Sequence, residues 1–213
     1  MEKEQVKSLI LSEKLIPVVR VARAEEAVAV AKALVEGGSH IIEITMTVQG
    51  ALEAMRDLAG NLPPEVVLGA GTVTHSSTAR AAVEAGARFL VSPCLSLDVV
   101  ETASSMGVLV ISGAMTPTEI LSAWRAGASL VKVFPVGPLG GPSYIRAIKG
   151  PFPEIPLVPT GGVSPSNARD YILAGASAVG MGGELVDRES LARKDWGKIS
   201  QRTKEVMSQL RSL

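Results

Sequence analysis

Short apolar runs alternate along the chain with longer Ala-rich helical segments. The runs IPVVR, IIEIT, VVLGAGT, FLVSP, VLVISGA, SLVKVFP, PLVPTGG and AVGMGG are rich in β-branched residues and show little polar alternation. Strands of that kind are buried on both faces, which predicts a parallel sheet covered by helices. The junctions repeat as well. EGGSHIIE, EAGARFLV, SMGVLVIS, RAGASLVK and LAGASAVG set Gly37, Gly86, Gly107, Gly127 and Gly175 where helices should end, a place that favours the left-handed conformation glycine adopts without penalty. Thr74, Ser76, Ser92, Ser96, Thr116 and Ser164 are candidate N-caps, and Pro117 and Pro165 suit a first helical turn.

Eight strand, loop, helix and glycine units fit either an open doubly wound sheet or a closed (β/α)8 TIM barrel. GAGTVT, Gly69 to Thr74, lacks the third glycine of the dinucleotide fingerprint and falls in the third unit, so the barrel is favoured. The 213 residues are few for a fold of typically ~250, but the tight repeat leaves little room for insertions. Residues 2 to 13 or so predict an extra N-terminal helix closing one end of the barrel. No linker or low-complexity stretch divides the chain, so one domain, 1–213, is expected, with PVGPLGGPS (135–143) as a βα loop.

Composition narrows the class of partner. Hydrophobic residues make up 46% of the chain, 21 basic residues balance 21 acidic ones without a block of either sign, and aromatics are only 3%. These features speak against nucleic acid and anionic membrane surfaces and leave a small molecule as the expected ligand. Cys94 is the single cysteine, which excludes an intramolecular disulfide. The polar start MEKEQVKSLILSEK is unlike a secretory signal, and no apolar run reaches a membrane span; a cytoplasmic protein is expected.

Two charges interrupt the apolar runs. In SLVKVFP, side chains alternate in direction, so Val131 and Val133 meet the helices while Leu130, Lys132 and Phe134 face inward. In IIEIT, Ile42 and Ile44 face outward and Glu43 points inward with Ile41 and Thr45. One reading is a buried structural ion pair. The other is catalytic: an amine whose charge is disfavoured by apolar surroundings can form a Schiff base with a carbonyl substrate while a nearby carboxylate moves protons. Barrel sites lie at the C-terminal ends of strands, with phosphate often bound after strands seven and eight. Those ends read Thr160-Gly161-Gly162 and Gly180-Met181-Gly182-Gly183, where backbone N–H groups can approach an anion and Ser164 to Asn167 begins the next helix. Arg20 and Thr72, at the ends of VVR and LGAGT, could bind a substrate carboxylate.

The motifs IPVVR, GGSHIIEITMT, GAGTVT, FLVSP, SGAMTPTE, SLVKVFP, KGPFP and VPTGGVSPSN, in this order and spacing, make the chain resemble the 2-dehydro-3-deoxy-phosphogluconate (KDPG) and 4-hydroxy-2-oxoglutarate (KHG) aldolases over nearly its whole length. The resemblance implies a class I aldolase on a (β/α)8 barrel, usually a homotrimer, acting on a 2-keto acid and releasing pyruvate without metal or organic cofactor. It implies Lys132 as the Schiff-base lysine, Glu43 as the acid/base, Thr72 as a carboxylate contact, Thr160 beside the reacting carbon, and Gly161 and Gly162 as phosphate ligands, to which the glycine-rich end of strand eight adds Gly182 and Gly183 as backbone donors. Pro93 and Phe134, within the same motifs, are implied as further substrate contacts. Two positions depart from the family pattern. Thr47 stands where many members carry a carboxylate-binding arginine, which shifts part of that work to Arg20, and Gly183 stands where a serine often holds phosphate.

Two rival readings stay open: a phosphate-binding isomerase or decarboxylase that forms no imine, and a non-catalytic metabolite-binding barrel. His75 follows GTVT without the partners of a metal site and is expected at a helix start or on the surface. His40 should lie at the opposite end of the barrel, Cys94 should be a small buried residue, and Trp124 and Trp196 should pack from helices.

Overall fold

The structure, a computed structural model, describes residues 1–213. The helix α1 (Lys3–Glu13) precedes β1 (Leu15–Val19), α2 (Ala24–Glu36), β2 (Ile41–Thr45), α3 (Ala51–Asn61), β3 (Val67–Gly71) and α4 (Ser76–Glu84). There follow β4 (Phe89–Val91), α5 (Leu97–Ser105), β5 (Leu109–Ala114), α6 (Pro117–Arg125), β6 (Leu130–Val133), α7 (Pro142–Lys149), β7 (Leu157–Pro159), α8 (Ala168–Leu173), β8 (Val179–Met181), α9 (Arg188–Arg193) and α10 (Trp196–Arg211). Every strand pairs in parallel with its sequence neighbour from β1 to β7, and β1 also pairs with β8. A bridge between Thr160 and Gly180 closes the ring just beyond β7. This is the expected (β/α)8 barrel, and the strand residues are buried throughout.

Strand alternation divides the apolar residues into two shells. Ile16, Ile41, Val67, Phe89, Leu109, Ile111, Leu130 and Val158 fill the inside of the barrel, together with Val6 and Ile10 of α1. The opposite faces, with Leu15, Ile42, Ile44, Leu68, Leu90, Val110, Val131, Val133 and Leu157, pack against the helices. The N-terminal helix therefore plugs the end where the strands begin. It is tied there by Glu13, whose buried carboxylate accepts from the His40 backbone N–H (3.1 Å), pairs with the His40 imidazole Nδ1 (2.6 Å) and accepts from Arg211 of α10 (3.0 Å). Trp124 and Trp196 lie partly buried against the outer shell.

Several local expectations need correction. Gly86, Gly107, Gly127 and Gly175 do take positive φ, but after α2 the left-handed residue is Gly38 and Gly37 stays right-handed. A side chain on Gly37 would meet the Ser200 carbonyl and Thr203 of α10 at 2.6 Å, so that glycine permits a helix crossing. Ser96 and Thr116 are N-caps, and Thr116 forms a reciprocal capping box with Glu119 ahead of Pro117. The cap of α4 is His75, not Thr74 or Ser76, because the free N–H of Ser76 is taken by Asp98 Oδ2 (2.9 Å). Ser92 instead donates to the Cys94 carbonyl (2.7 Å). The helix after strand seven begins only at Ala168 with Asn167 at its cap, leaving Ser164 and Pro165 in a turn.

Candidate active site

Both charged strand residues face the barrel interior. Lys132 is 4% exposed and Glu43 3%, although the two do not form an ion pair: no carboxylate lies within salt-bridge distance of the Lys132 amine. The Lys132 Nζ lies 5.1 Å from the centroid of the Phe134 ring, at the C-terminal end of its strand. Lys149 is differently placed. Its amine donates to the carbonyls of Pro153 (2.6 Å) and Ile155 (2.9 Å), holding a loop together.

Glu43 Oε1 is buried without a hydrogen-bond partner. Burial raises its carboxyl above the ordinary carboxylate range, and the positive charges of Lys132 and then Arg20 oppose that rise. A buried, unpartnered carboxyl with an elevated affinity for protons, beside a buried amine, suits proton transfer. Its space exists because β3 carries glycine: a Cβ on Gly71 would lie 1.9 Å from Oε1. Gly113 performs a similar service on the other side. It pairs in register with Lys132, and a Cβ there would meet the Pro93 carbonyl at 2.3 Å, so the chain after β4 folds over the strand end beside the lysine. Half-buried Pro93 is thus at the mouth, whereas Cys94 is exposed and not buried as expected, because its backbone, not its thiol, faces Gly113.

The threonines divide into distinct settings. Thr72 has φ 57°, a left-handed conformation that β-branched residues avoid at a cost of roughly 1–3 kcal/mol. That strain lies at the end of β3, where the site opens. Thr45 donates its one hydroxyl proton to the Val19 carbonyl (3.2 Å), so in its 2.8 Å contact with exposed Thr47 it must accept. The proton of Thr47 is thereby committed to Thr45. Thr160 is buried at the end of β7, where it meets Gly180.

A cavity of about 280 Å³ adjoins this mouth, lined by Arg20, Phe134, Thr160, both Gly161 and Gly162, and both Gly182 and Gly183. The backbone N–H groups of Gly162, Gly182 and Gly183 donate to no other group of the chain. Asn167 braces the first glycine loop, accepting from Ser164 N–H (2.8 Å) and donating to the Gly162 carbonyl (3.0 Å). Beyond the second loop, Asp187 caps α9 by accepting from Ser190 N–H (2.8 Å) and pairs with Arg202, which also donates to the Leu185 carbonyl (3.1 Å). The Ser190 N–H and Arg202 hold Asp187 well below the usual carboxylate range. Arg20, read from the sequence as a carboxylate contact, lines the glycine cavity, while its charge also reaches Glu43.

Sequence reasoning missed three contributors. Gly71 stood only within the GAGTVT run, Asn167 only at the start of the helix after strand seven, and Glu184, which also lines the cavity, carried no signal at all. No group of three or more His, Cys, Asp or Glu side chains comes together as a metal site, and His75 is an exposed helix cap.

Comparison with known proteins agrees with this geometry. The family model described as KDPG and KHG aldolase matches residues 6–202. A relative in Escherichia coli (strain K12), the KHG/KDPG aldolase, is 35% identical over 206 residues, spanning 96% of this chain and 96% of its own. Among solved structures, the KDPG aldolase of Legionella pneumophila, with pyruvate captured as a covalent carbinolamine intermediate, superposes with a TM-score of 0.86 at 30% identity, covering 93% of this chain and 96% of the other. The 2-keto-3-deoxy-6-phosphogluconate aldolase of Zymomonas mobilis ZM4, with 3-phosphoglycerate, gives 0.86 at 28% identity and 96% coverage of both chains.

Proposed function

We infer the roles of individual residues from one premise: this chain belongs to the KDPG and KHG aldolase family. It is a class I aldolase, a lyase that splits 2-dehydro-3-deoxy-6-phosphogluconate into pyruvate and glyceraldehyde 3-phosphate. Cleavage of 4-hydroxy-2-oxoglutarate to pyruvate and glyoxylate, a homotrimeric assembly and a cytoplasmic location are proposals that rest on the family resemblance; no helix is long and apolar enough to cross a membrane.

The observation that carries the assignment of roles is the burial of Lys132 and Glu43 in one barrel mouth without an ion pair. Lys132, as the neutral amine, attacks the C2 ketone, and loss of water leaves a protonated imine that can accept an electron pair. Glu43 takes the proton of the C4 hydroxyl, directly or through a water. The C3–C4 bond then breaks, its electrons pass into the imine to form an enamine, and glyceraldehyde 3-phosphate departs. The same carboxyl can return its proton to C3, after which hydrolysis of the imine frees pyruvate and regenerates the amine.

The substrate's distal phosphate fits the glycine cavity, where Gly162, Gly182 and Gly183 supply unused N–H donors, Gly161 lines the wall and Arg20 adds a positive charge. Its place in that cavity gives Arg20 the phosphate as its partner in preference to the carboxylate. The carboxylate end falls to the region of Thr72 and Thr47, beside Pro93 and Phe134, with Thr160 near the reacting carbon. Release of pyruvate from purified protein supplied with the phosphorylated six-carbon substrate tests the activity, and abolition of that release by Lys132→Ala tests the leading role. Full activity in a folded Lys132→Ala protein would refute the assignment.

A further inference from the structure

Glu184 directly follows the second glycine pair and lines the same cavity as Arg20, Gly162 and Gly183. It is exposed, and its carboxylate forms no ion pair within the chain. Arg20 and Glu184 are thus the charged residues among those that line this cavity. A phosphate dianion entering it gains Arg20 and the free amides but meets a like charge, and an ionised carboxylate can only accept hydrogen bonds while the dianion has none to donate. A terminal hydroxymethyl group has the opposite character. It carries no charge to be repelled, and its O–H can donate to Glu184.

We propose that Glu184 is a specificity-determining residue that narrows the preference for a phosphorylated distal end and admits 2-keto-3-deoxy sugar acids ending in a free hydroxyl as a second substrate class. The proposal rests on the assignment of the glycine cavity to the distal end of the substrate. It differs from the loss of a donor at Gly183, which weakens phosphate binding but gives no new partner to a hydroxyl.

The test compares kcat/KM of the wild-type chain, Glu184→Gln and Glu184→Ala for 2-dehydro-3-deoxy-6-phosphogluconate and for its unphosphorylated counterpart, at low salt and at about 0.5 M KCl. In both variants the ratio of phosphorylated to unphosphorylated kcat/KM rises about tenfold at low salt, chiefly through KM of the phosphorylated compound. The rise shrinks at high salt, because an exposed charge is screened. A steric role would not respond to salt. Cleavage of the phosphorylated substrate with a ratio that stays put in the variants, or moves independently of salt, overturns the inference alone. Failure of the wild-type protein to cleave either compound overturns the assignment of the site and this inference with it.

Discussion

The Cα of Gly71 lies directly against the carboxylate of Glu43, so closely that a Cβ on Gly71 would come within 1.9 Å of Oε1 and 2.6 Å of the carboxyl carbon. The contact runs between paired strands, β2 and β3, with Thr45 and Gly71 in register. An inward Glu43 therefore depends on the absence of a side chain one strand away. Gly71→Ala is expected to destabilise the fold by about 1–3 kcal/mol through overpacking and to slow cleavage more than pyruvate imine formation, because the carboxyl and not the amine is displaced. Thermal denaturation together with the two rates checks this; an unchanged melting temperature with unchanged cleavage would show that the pocket yields freely.

Glu43→Gln preserves shape and removes the proton-transfer function, so cleavage should fall on the order of 10²-fold or more while the fold and imine formation persist. Turnover near that of the wild type would exclude Glu43 as the acid/base.

Stability should respond to the same substitution with a definite sign. Because burial raises the folded-state pKa of Glu43, the native protein binds its proton more tightly than the unfolded chain does, and stability from this group is lost as pH rises from the ordinary carboxylate range through the raised value. Glu43→Gln, neutral at every pH, should therefore match the wild type below about pH 4 and gain in Tm over it as pH rises through that window. A Tm difference that narrows with rising pH would contradict the burial argument.

Borohydride reduction in the presence of pyruvate should leave a stable adduct on Lys132, identifiable by peptide mass. Lys149 is the instructive control, since its amine is engaged by two carbonyls. Modification of Lys149 instead, or no adduct, would sink the imine assignment.

Gly183→Ser should lower KM for the phosphorylated six-carbon substrate and leave the five-carbon 4-hydroxy-2-oxoglutarate unaffected. A Cβ at Gly183 meets nothing within 4 Å and the residue is not in the left-handed region, so the backbone accepts a side chain. A hydroxyl donor to a charged group contributes roughly 1.5–3 kcal/mol where the bond is made. Equal responses of the two substrates would place Gly183 away from the phosphate.

At the closed end of the barrel, Ile10 is fully buried with the inward strand residues. Ile10→Ala should cost about 2–5 kcal/mol of stability with little change in KM, since the plug lies opposite the site. Denaturant unfolding and steady-state kinetics separate the two; a large KM change at preserved stability would mean that the two ends are coupled.

Strand parity was already contained in the sequence. Whether a side chain faces inward or outward depends on a two-residue repeat that the chain carries locally, so the largely apolar runs announced eight buried parallel strands and their parity turned the two embedded charges, Lys132 and Glu43, toward the same interior. The Thr116 cap was equally legible, because its partners lie within one turn. What the tertiary structure alone decided are relations across the barrel and between loops: that Lys132 and Glu43 form no ion pair, that Gly71 clears the space for Glu43, that Arg20 shares a cavity with the glycine loops, that Glu184 joins it and that Cys94 is exposed. Those relations follow from strand tilt, register and the packing of loops from units far apart in the chain. A periodic pattern orients each side chain relative to its own strand, and only closure of the ring determines which strand end it then meets.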